Sequence, residues 1–316
     1  DELRYCISCM NCFNVNPFSY EQTNCSVNPF ALREGSKRPI VQDGDGRLVA
    51  VIGAGPAGME AAVTLKQRGF DVVVFDKRDE IGGNLHVAKK PPFKGKFEWA
   101  IDYYKSMAKK LNITMKLGKE VTAQEVLALK PYSILVATGS NVISIPLEGL
   151  DQVQTVQAHD VLANDMQFAN KKVVVIGGGI TGLETALYIN RQGTNQVSVV
   201  DMLPEWPVDM LDMRYQNEAL LEVRHCNDQG VALFYNNKVV KFADGKLFIE
   251  STKDGEVKEL PADVIVLSVG VKPNDALWQE LLASGHPSVW KAGDAIATGK
   301  INKAVLHGSK FGYSLN

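Results

Sequence analysis

The sequence predicts a mixed α/β fold that contains one β-α-β unit twice and begins with a cysteine-rich segment. Short apolar runs at 48–52 and 173–176 are bounded by glycine, which is typical of strands buried on both faces of a parallel sheet. Each run leads into a glycine-rich turn, a helical stretch and a second apolar run that ends in aspartate. Four of the five cysteines lie within the first 25 residues.

Composition and charge narrow the classes of function. A chain of 316 residues is long enough for two compact domains, and its net charge of −2 gives no reason to expect a nucleic acid or an anionic membrane surface as a partner. No apolar run approaches the roughly 18 residues that span a bilayer, and the polar start at residues 1–4 is no signal peptide. We therefore expect a cytoplasmic protein without a membrane segment. The chain lacks an initiator Met, so we expect either a removed leader or a piece of a longer protein.

The first copy of the unit begins with the strand at 48–52. A helical stretch follows over residues 57–68 and ends at Gly69, a residue suited to a helix C-terminus. The second apolar run at 71–75 leads to Asp76. These elements make one complete β-α-β unit.

The second copy repeats the first at an offset of 124 residues. The strand at 173–176 is followed by a helix that ends near Gln192 and by a strand at 197–200 that leads to Asp201. The glycines that correspond between the copies are Gly53, Gly55, Gly58 and Gly69 with Gly177, Gly179, Gly182 and Gly193. This repeat indicates two copies of one nucleotide-binding fold rather than one large sheet.

The remaining elements fit around the two copies. Residues 93–111 predict a helix, Thr122–Glu125 form a capping box that opens another helix, and 133–137 predict a buried strand. Residues 238–259 alternate as antiparallel strands do, and 263–270 predict a further buried strand.

Both glycine-rich turns have the pattern G-x-G-x-x-G between a strand and a helix. The first glycine allows the tight turn, the second lets the backbone approach a pyrophosphate, and the third lets helix and strand pack closely. The helix N-terminus offers free N–H groups to the phosphates. Asp76 and Asp201 are placed to bind adenosine ribose hydroxyls. Because the Asp201 carboxylate repels a 2′-phosphate and Met202 and Leu203 supply no arginine, the second site favours NADH over NADPH.

Further motifs complete the order of the chain. Gly82–Gly83 follow the first unit, a later strand ends at Ala137–Thr138–Gly139, and Gly293–Asp294 lie near the C-terminus. Together with the two glycine turns, this order resembles the glutathione-reductase-like superfamily of flavoproteins over essentially everything from residue 48 onward. The resemblance implies two Rossmann-like dinucleotide-binding domains, with FAD on the first unit and a nicotinamide nucleotide on the second.

The resemblance also implies the residues of each site. For FAD they are Gly53, Gly55, Gly58, Asp76, Gly82, Gly83, Ala137, Thr138, Gly139, Gly293 and Asp294, and for NAD(H) they are Gly177, Gly179, Gly182 and Asp201. In this superfamily the residue at Asp294 hydrogen-bonds the flavin ribityl chain. In this sequence, residues 303–314 are predicted to form the helix that follows. Disulfide reductases of the superfamily carry a cysteine pair after the double glycine. Here Asn84 follows, so we exclude disulfide exchange.

The cysteines of the first segment have the spacing C-x-x-C-x-x-C followed, after twelve residues, by a fourth cysteine: Cys6, Cys9, Cys12 and Cys25. This spacing predicts a [4Fe–4S] cluster, because structural zinc sites usually use two well-separated ligand pairs. Residues 1–30 show no helical or strand periodicity, so we expect a loop held by something other than a hydrophobic core. The isolated Cys226 is predicted to be an inert thiol.

Joined to a two-nucleotide flavoprotein, this cysteine spacing is similar to the C-terminal half of the 2,4-dienoyl-CoA reductase, enoate reductase and trimethylamine dehydrogenase family. The resemblance implies an FMN-containing TIM-barrel domain or subunit as the partner. It also implies that hydride passes from NADH to FAD and that single electrons then pass through the cluster to FMN, where an activated C=C bond of enoate or enoyl-CoA type is reduced. The hydride step requires no side-chain acid or base, so we assign no catalytic residue.

The predicted domains are a cluster-binding segment and linker at 1–47, an FAD-binding domain at 48–145 and 262–316, and an NAD(H)-binding domain at 146–261. Two alternatives stay open. One is a flavoprotein resembling the glutamate synthase small subunit, a family that carries additional cysteines for a second cluster. The other is an electron-transfer subunit whose second site holds structural ADP, as in trimethylamine dehydrogenase, because Asp201 suits an ADP ribose equally well. A homo-oligomer of the full-length protein is compatible with both.

Overall fold

The computed structural model of the chain describes residues 2–12, 24–31, 35, 39–204 and 213–316, with residues 213–218 described by their backbone only. Within these ranges the chain forms two α/β units and two smaller antiparallel sheets. No helix in these ranges is long and apolar enough to cross a membrane.

The first unit is a five-stranded parallel sheet with helices on both faces. Its strands are β1 (Leu48–Ile52), β2 (Asp71–Asp76), β3 (Thr114–Leu117), β4 (Ser133–Val136) and β15 (Val289–Lys291), in the spatial order β15-β4-β1-β2-β3. Its helices are α1 (Pro56–Gln67), α2 (Leu85–Ala88), α3 (Glu98–Lys110), α4 (Ala123–Ala128), α8 (Ala276–Ala283) and α9 (Ile301–Ser314). The predicted capping box opens α4, where the Thr122 hydroxyl oxygen accepts a hydrogen bond from the Glu125 N–H at 3.3 Å.

The second unit repeats this arrangement. Its parallel strands are β6 (Gln154–Gln157), β7 (Lys172–Ile176), β8 (Gln196–Val200), β9 (Ala232–Phe234) and β13 (Val264–Leu267), in the order β6-β13-β7-β8-β9. Its helices are α5 (Ala158–Ala163), α6 (Ile180–Asn190) and α7 (Met213–Asp228). The strands β10 (Asn237–Ala243), β11 (Lys246–Ser251) and β12 (Val257–Pro261) form the predicted antiparallel sheet.

The strand pairing moves one predicted domain boundary. We expected the chain to return to the first unit at residue 262, but β13 pairs with β6 and β7 of the second sheet. The return comes later, at a two-stranded ribbon in which β14 (Val271–Pro273) pairs antiparallel with β5 (Ser140–Val142). The reason is that an apolar run shows that a strand is buried, but not which sheet it joins.

Both faces of the first sheet are buried, as its continuous apolar strands predict. In β1, Val49 and Val51 face the side covered by α1 and α3, whereas Ala50 and Ile52 face the side covered by α4 and α8. All four are at most 5% exposed. Because the five strands are parallel, their carboxyl ends lie at one edge of the unit, where ligands bind in folds of this type.

The helix predicted over residues 93–111 begins five residues later than expected. Phe93 has a left-handed backbone conformation with φ of +70°, and α3 starts at Glu98. The segment instead reaches the second unit: the Phe93 ring lies 5.5 Å from that of His225, and Lys94 forms an ion pair with Glu184 of α6.

Helices α1 and α9 approach each other closely because glycines of α9 face α1. A Cβ atom on Gly308 would lie 2.1 Å from the carbonyl oxygen of Ala57, and one on Gly312 would lie 2.6 Å from Cβ of Thr64. Neither distance is sterically possible without backbone movement. The two glycines thus set the distance between the helices that begin and end the first unit.

We call residues 2–12 and 24–31, which carry the four clustered cysteines, the cysteine segment. This segment is held partly by the hydrophobic core, which corrects our expectation. Ile7 and Val27 are 2% and 7% exposed and belong to the core that includes α1 and α3. Two isolated apolar residues form no periodic pattern, so the sequence alone did not reveal this contact.

We predict that Gly308→Ala lowers the stability of the first unit. The new methyl group would lie 2.1 Å from a backbone oxygen of α1, which places the overpacking cost at the upper end of its usual range, about 3 kcal/mol. That cost exceeds the gain of about 1 kcal/mol that alanine brings over glycine within a helix. The thermal unfolding midpoint should therefore fall. The matched control is Gly95→Ala, because no heavy atom lies within 4 Å of a Cβ at Gly95. An equal midpoint for the two variants would contradict the close-packing account.

Candidate functional site

The first and third glycines of the first turn lie where no side chain fits. Gly53 has φ of +111°, and a Cβ there would lie 2.2 Å from the carbonyl oxygen of Ala137 at the end of β4. A Cβ on Gly58 would lie 1.9 Å from the carbonyl oxygen of Gly53. Gly55 caps α1 with extended backbone, and Pro56 follows as its first residue. The N–H groups of the first turn of α1 are thereby left to bind an anion.

Asp76 fixes the same turn from the end of β2. Its Oδ2 accepts a hydrogen bond from the Ala54 N–H at 2.7 Å, and its Oδ1 accepts one from the Arg78 N–H at 2.9 Å. A carboxylate has about four lone-pair positions, so each oxygen retains capacity for a ribose hydroxyl. The side chain is therefore held in position for the role that the sequence predicts.

The glycine turn of the second unit is built in the same way as that of the first. Gly177 has φ of +107°, and a Cβ there would lie 2.3 Å from the carbonyl oxygen of Ser268, just after β13. Asp201 accepts hydrogen bonds from the Gly178 N–H at 2.6 Å and from the Leu203 N–H at 2.8 Å. Helix α6 starts at this turn, with Gly179 as its N-cap, and a Cβ on its third residue, Gly182, would lie 1.9 Å from the carbonyl oxygen of Gly177.

The double glycine lies directly beside the first turn. The Gly82 N–H donates to the Ala54 carbonyl at 2.9 Å, and a Cβ on Gly83 would lie 2.8 Å from Cα of Gly55. Arg78 donates from Nη1 to the Gly83 carbonyl at 2.7 Å, which makes this arginine a support of the turn. The structure thus brings together two motifs that are separated by about one helix and one strand in the chain.

The segment after β4 connects the first turn to the C-terminal motif. The Ala137 N–H donates to the Ile52 carbonyl at 2.7 Å, the Thr138 hydroxyl donates to the Asn274 carbonyl at 2.5 Å, and Gly139 has φ of +74°. The Ser140 hydroxyl donates to Oδ2 of Asp294 at 3.2 Å.

Asp294 lies in a half-buried turn between β15 and α9. Its Oδ1 accepts from the Gly299 N–H at 3.1 Å, and burial raises the pKa of its carboxyl above the usual range. A Cβ on the preceding Gly293 would lie 3.0 Å from Cβ of Ala57 in α1. Glycine at this position therefore lets the Asp294 turn lie against the start of α1, so all the predicted FAD residues meet at the carboxyl edge of the first sheet.

The four clustered cysteines lie on one segment beside the first unit. Cys9 and Cys25 are half-buried against its core, whereas Cys6 and Cys12 are exposed. The Cys9 thiol donates to the Ser26 hydroxyl at 3.2 Å. Among the described residues, no three His, Cys, Asp or Glu side chains are arranged to hold a metal ion. The donor set of four thiols without carboxylates nevertheless suits an iron–sulfur cluster.

Cys226 stands apart from these cysteines. It is fully buried in α7, its Sγ lies 3.8 Å from the Leu183 carbonyl oxygen, and burial raises the pKa of its thiol to about 12. A thiol with so high a pKa is protonated at neutral pH and hence unreactive, as predicted.

Sequence reasoning missed the residues that support the motifs from other strands. Ser140, the first residue of β5, and Ser268, which directly follows β13, are examples. A signal was available for Ser268, because Ser268–Val269–Gly270 follows β13 as Ala137–Thr138–Gly139 follows β4. The repeat therefore extends to a third strand of each unit.

Comparison with known proteins agrees with this geometry. A family model described as pyridine nucleotide-disulphide oxidoreductase matches residues 47–306. NADH oxidase of Thermoanaerobacter brockii is 32% identical over 324 residues, which cover 100% of this chain and 48% of that protein. Cinnamate reductase of Clostridium sporogenes is 28% identical over 288 residues, which cover 89% of this chain and 41% of that protein.

A solved structure of 2-naphthoyl-CoA reductase in complex with 2-naphthoyl-CoA superposes with a TM-score of 0.83 at 28% identity, covering 93% of this chain and 44% of that one. The chain spans about half the length of the curated relatives it matches. The predicted fold class of two Rossmann-like dinucleotide-binding domains is confirmed. The two units therefore have the fold that binds FAD and NAD(P)H, and the chain belongs to the pyridine nucleotide-disulphide oxidoreductase family.

Proposed function

We propose that the chain is an NADH-dependent flavoprotein module that passes electrons through FAD and a [4Fe–4S] cluster to an FMN-containing TIM-barrel domain or subunit, which reduces an activated C=C bond. The observation that carries the proposal is that two fixed nucleotide turns and a four-cysteine segment occur in one chain, with Cys9 and Cys25 packed against the first unit. When bound, FAD accepts two electrons at once and releases them singly, which a cluster requires.

The first unit supplies three kinds of contact for FAD. The start of α1 offers N–H groups to the pyrophosphate, and Asp76 offers carboxylate oxygens to the ribose. Asp294 is held by Ser140 and Gly299 and retains lone pairs for a hydroxyl of the ribityl chain. Binding at all three positions would use the whole carboxyl edge of the sheet.

The second unit suits a nucleotide whose ribose has a free 2′-hydroxyl. Both oxygens of Asp201 already accept backbone hydrogen bonds, which fixes the carboxylate at the end of β8. A 2′-phosphate would meet this negative charge, and the adjacent side chains of Met202 and Leu203 are exposed and apolar. This arrangement favours NADH.

The cysteine segment has an inner side towards the first unit and an outer side towards solvent, which suits electron transfer across it. Cys9 and Cys25 face the FAD unit, and Cys6 and Cys12 face solvent. The relatives are about twice as long as this chain, which supports a partner domain, and the exposure of Cys6 and Cys12 favours the outer side for it. Two of them are named for the reduction of an unsaturated carboxylate and of an aromatic acyl-CoA, which supports a conjugated substrate.

We predict that Asp201→Ser combined with Met202→Arg reduces the preference for NADH over NADPH by at least about tenfold, because one change removes a repulsive charge and the other adds a phosphate ligand. The measurement is the rate of anaerobic flavin bleaching with each nucleotide. The matched control is Asp263→Ser, which removes a carboxylate that accepts a backbone N–H, from Lys172, at the opposite edge of the same sheet.

Two outcomes of this experiment would contradict the proposal. If the unaltered chain bleaches faster with NADPH, the role of Asp201 is wrong. If neither nucleotide bleaches the flavin, the second site holds structural ADP instead, which Asp201 would bind equally well.

We predict that the isolated chain contains about four iron and four sulfide per molecule, and that Cys12→Ser loses most of both. Cys12 is exposed, so its replacement should leave the fold intact. The matched control is Cys226→Ala, which removes the thiol outside the segment and should leave the iron content unchanged. Zinc without sulfide in the unaltered chain, or full iron content in Cys12→Ser, would end the cluster proposal.

A further inference from the structure

The cysteine segment contacts the same two helices that carry the predicted flavin site. Helix α1 begins at the glycine turn, and α9 follows the Asp294 turn. The Phe30 ring lies 5.3 Å from that of Tyr313 in α9, and among the described residues two polar contacts join these helices to the segment, one formed by charge and one by amide side chains. Neither contact belongs to a nucleotide motif.

The first contact is a buried ion pair. Arg4 donates from Nη1 and Nη2 to the two carboxylate oxygens of Glu60 in α1, at 2.7 and 2.9 Å, and Glu60 is only 1% exposed. The Tyr104 hydroxyl also donates to Glu60 at 3.2 Å, and the Arg4 guanidinium lies 4.4 Å from the centre of the Tyr103 ring. A buried carboxylate needs such partners, so Arg4 is held strongly in this position.

Arg4 also connects the two arms of the segment. Its Nη1 donates to the Val27 carbonyl at 2.6 Å. Residues 2–12 carry Cys6, Cys9 and Cys12, and residues 24–31 carry Cys25. One guanidinium therefore holds both cysteine-bearing arms against α1.

The second contact joins the segment to the start of α9. Asn302, the second residue of α9, donates from its amide to Oδ1 of Asn24 at 3.0 Å. Asn11 donates to the same oxygen at 2.8 Å and to the Asn24 carbonyl at 2.9 Å. Asn11 lies between Cys9 and Cys12, and Asn24 directly precedes Cys25. This amide cluster again joins both arms to a helix of the flavin unit.

The internal repeat supplies a comparison for the ion pair. Glu184 occupies in α6 the position that Glu60 occupies in α1, and it is also buried at 7% exposure. Its ion-pair partner is Lys94 of the first unit, which lies outside the cysteine segment. Glu60 of α1 thus binds the cysteine segment, whereas Glu184 at the same position of α6 joins the two units.

We propose that Arg4, Glu60, Asn24 and Asn302 are positioning residues that fix the cysteine segment against α1 and α9, and thereby fix its place relative to the flavin site. The inference rests on the proposed function for its redox consequence, but the structural claim concerns only residues of this chain. NADH should reduce the flavin at an unchanged rate when these contacts are weakened, because they touch no nucleotide motif. The segment itself should open more often.

The test is hydrogen–deuterium exchange on the full chain with its bound cofactors. In Glu60→Gln and in Asn302→Asp, amides of residues 2–12 and 24–31 should exchange at least about tenfold faster, since local opening depends on few contacts. Flavin bleaching by NADH should stay within about twofold in both variants. Glu184→Gln is the matched control and should leave exchange of these residues unchanged.

Arg4→Lys keeps the charge but loses the two-pronged hydrogen bond, and it tests the same contact if Glu60→Gln loses FAD or fails to fold. Unchanged exchange in Arg4→Lys and Asn302→Asp at full FAD content would overturn the proposal. Equal acceleration in Glu184→Gln would overturn it as well, because it would indicate general loosening. Lack of iron and sulfide in the unaltered chain would refute the proposed function, but would leave the exchange result valid for the positioning claim.

Discussion

The architecture depends on the close packing of α1 against α9. Gly308 and Gly312 permit a distance that any side chain would prevent, and Gly293 lets the Asp294 turn lie against Ala57. The N-terminus of α1, the Asp294 turn and the inner side of the cysteine segment are consequently neighbours. A change in this single distance would disturb the predicted phosphate, ribityl and cysteine positions together.

The two units share one arrangement, a glycine turn fixed by an aspartate, but they differ in the ion pairs of the helix that follows it. In each unit, a glycine with positive φ packs against a carbonyl group at the end of a neighbouring strand. An aspartate accepts one hydrogen bond from a backbone N–H of the glycine turn and another from the N–H of the residue two positions after itself. These contacts are local, so duplication preserves them. The buried glutamates Glu60 and Glu184 are preserved as well, but their cations come from different parts of the chain.

Local chemistry explains what the sequence predicts correctly. The glycine turns, both aspartates and the capping box at Thr122 each depend on residues close in the chain, and the structure has them in the expected places. Three features depend on distant contacts instead: the sheet that β13 joins, the ion pair of Arg4 and the late start of α3. Such contacts leave no periodic pattern in the sequence. For the ion pairs a signal was available, because glutamate recurs at the same helix position in both copies, as Glu60 and Glu184.

The central claim is that one chain holds FAD and an iron–sulfur cluster as a single redox unit. The most direct measurement is an anaerobic reductive titration of the purified chain, followed by visible absorbance and electron paramagnetic resonance. The account predicts uptake of about three electrons per FAD, two by the flavin and one by a cluster with a paramagnetic reduced state. Uptake of only about two electrons per FAD, with no paramagnetic iron signal, would contradict it.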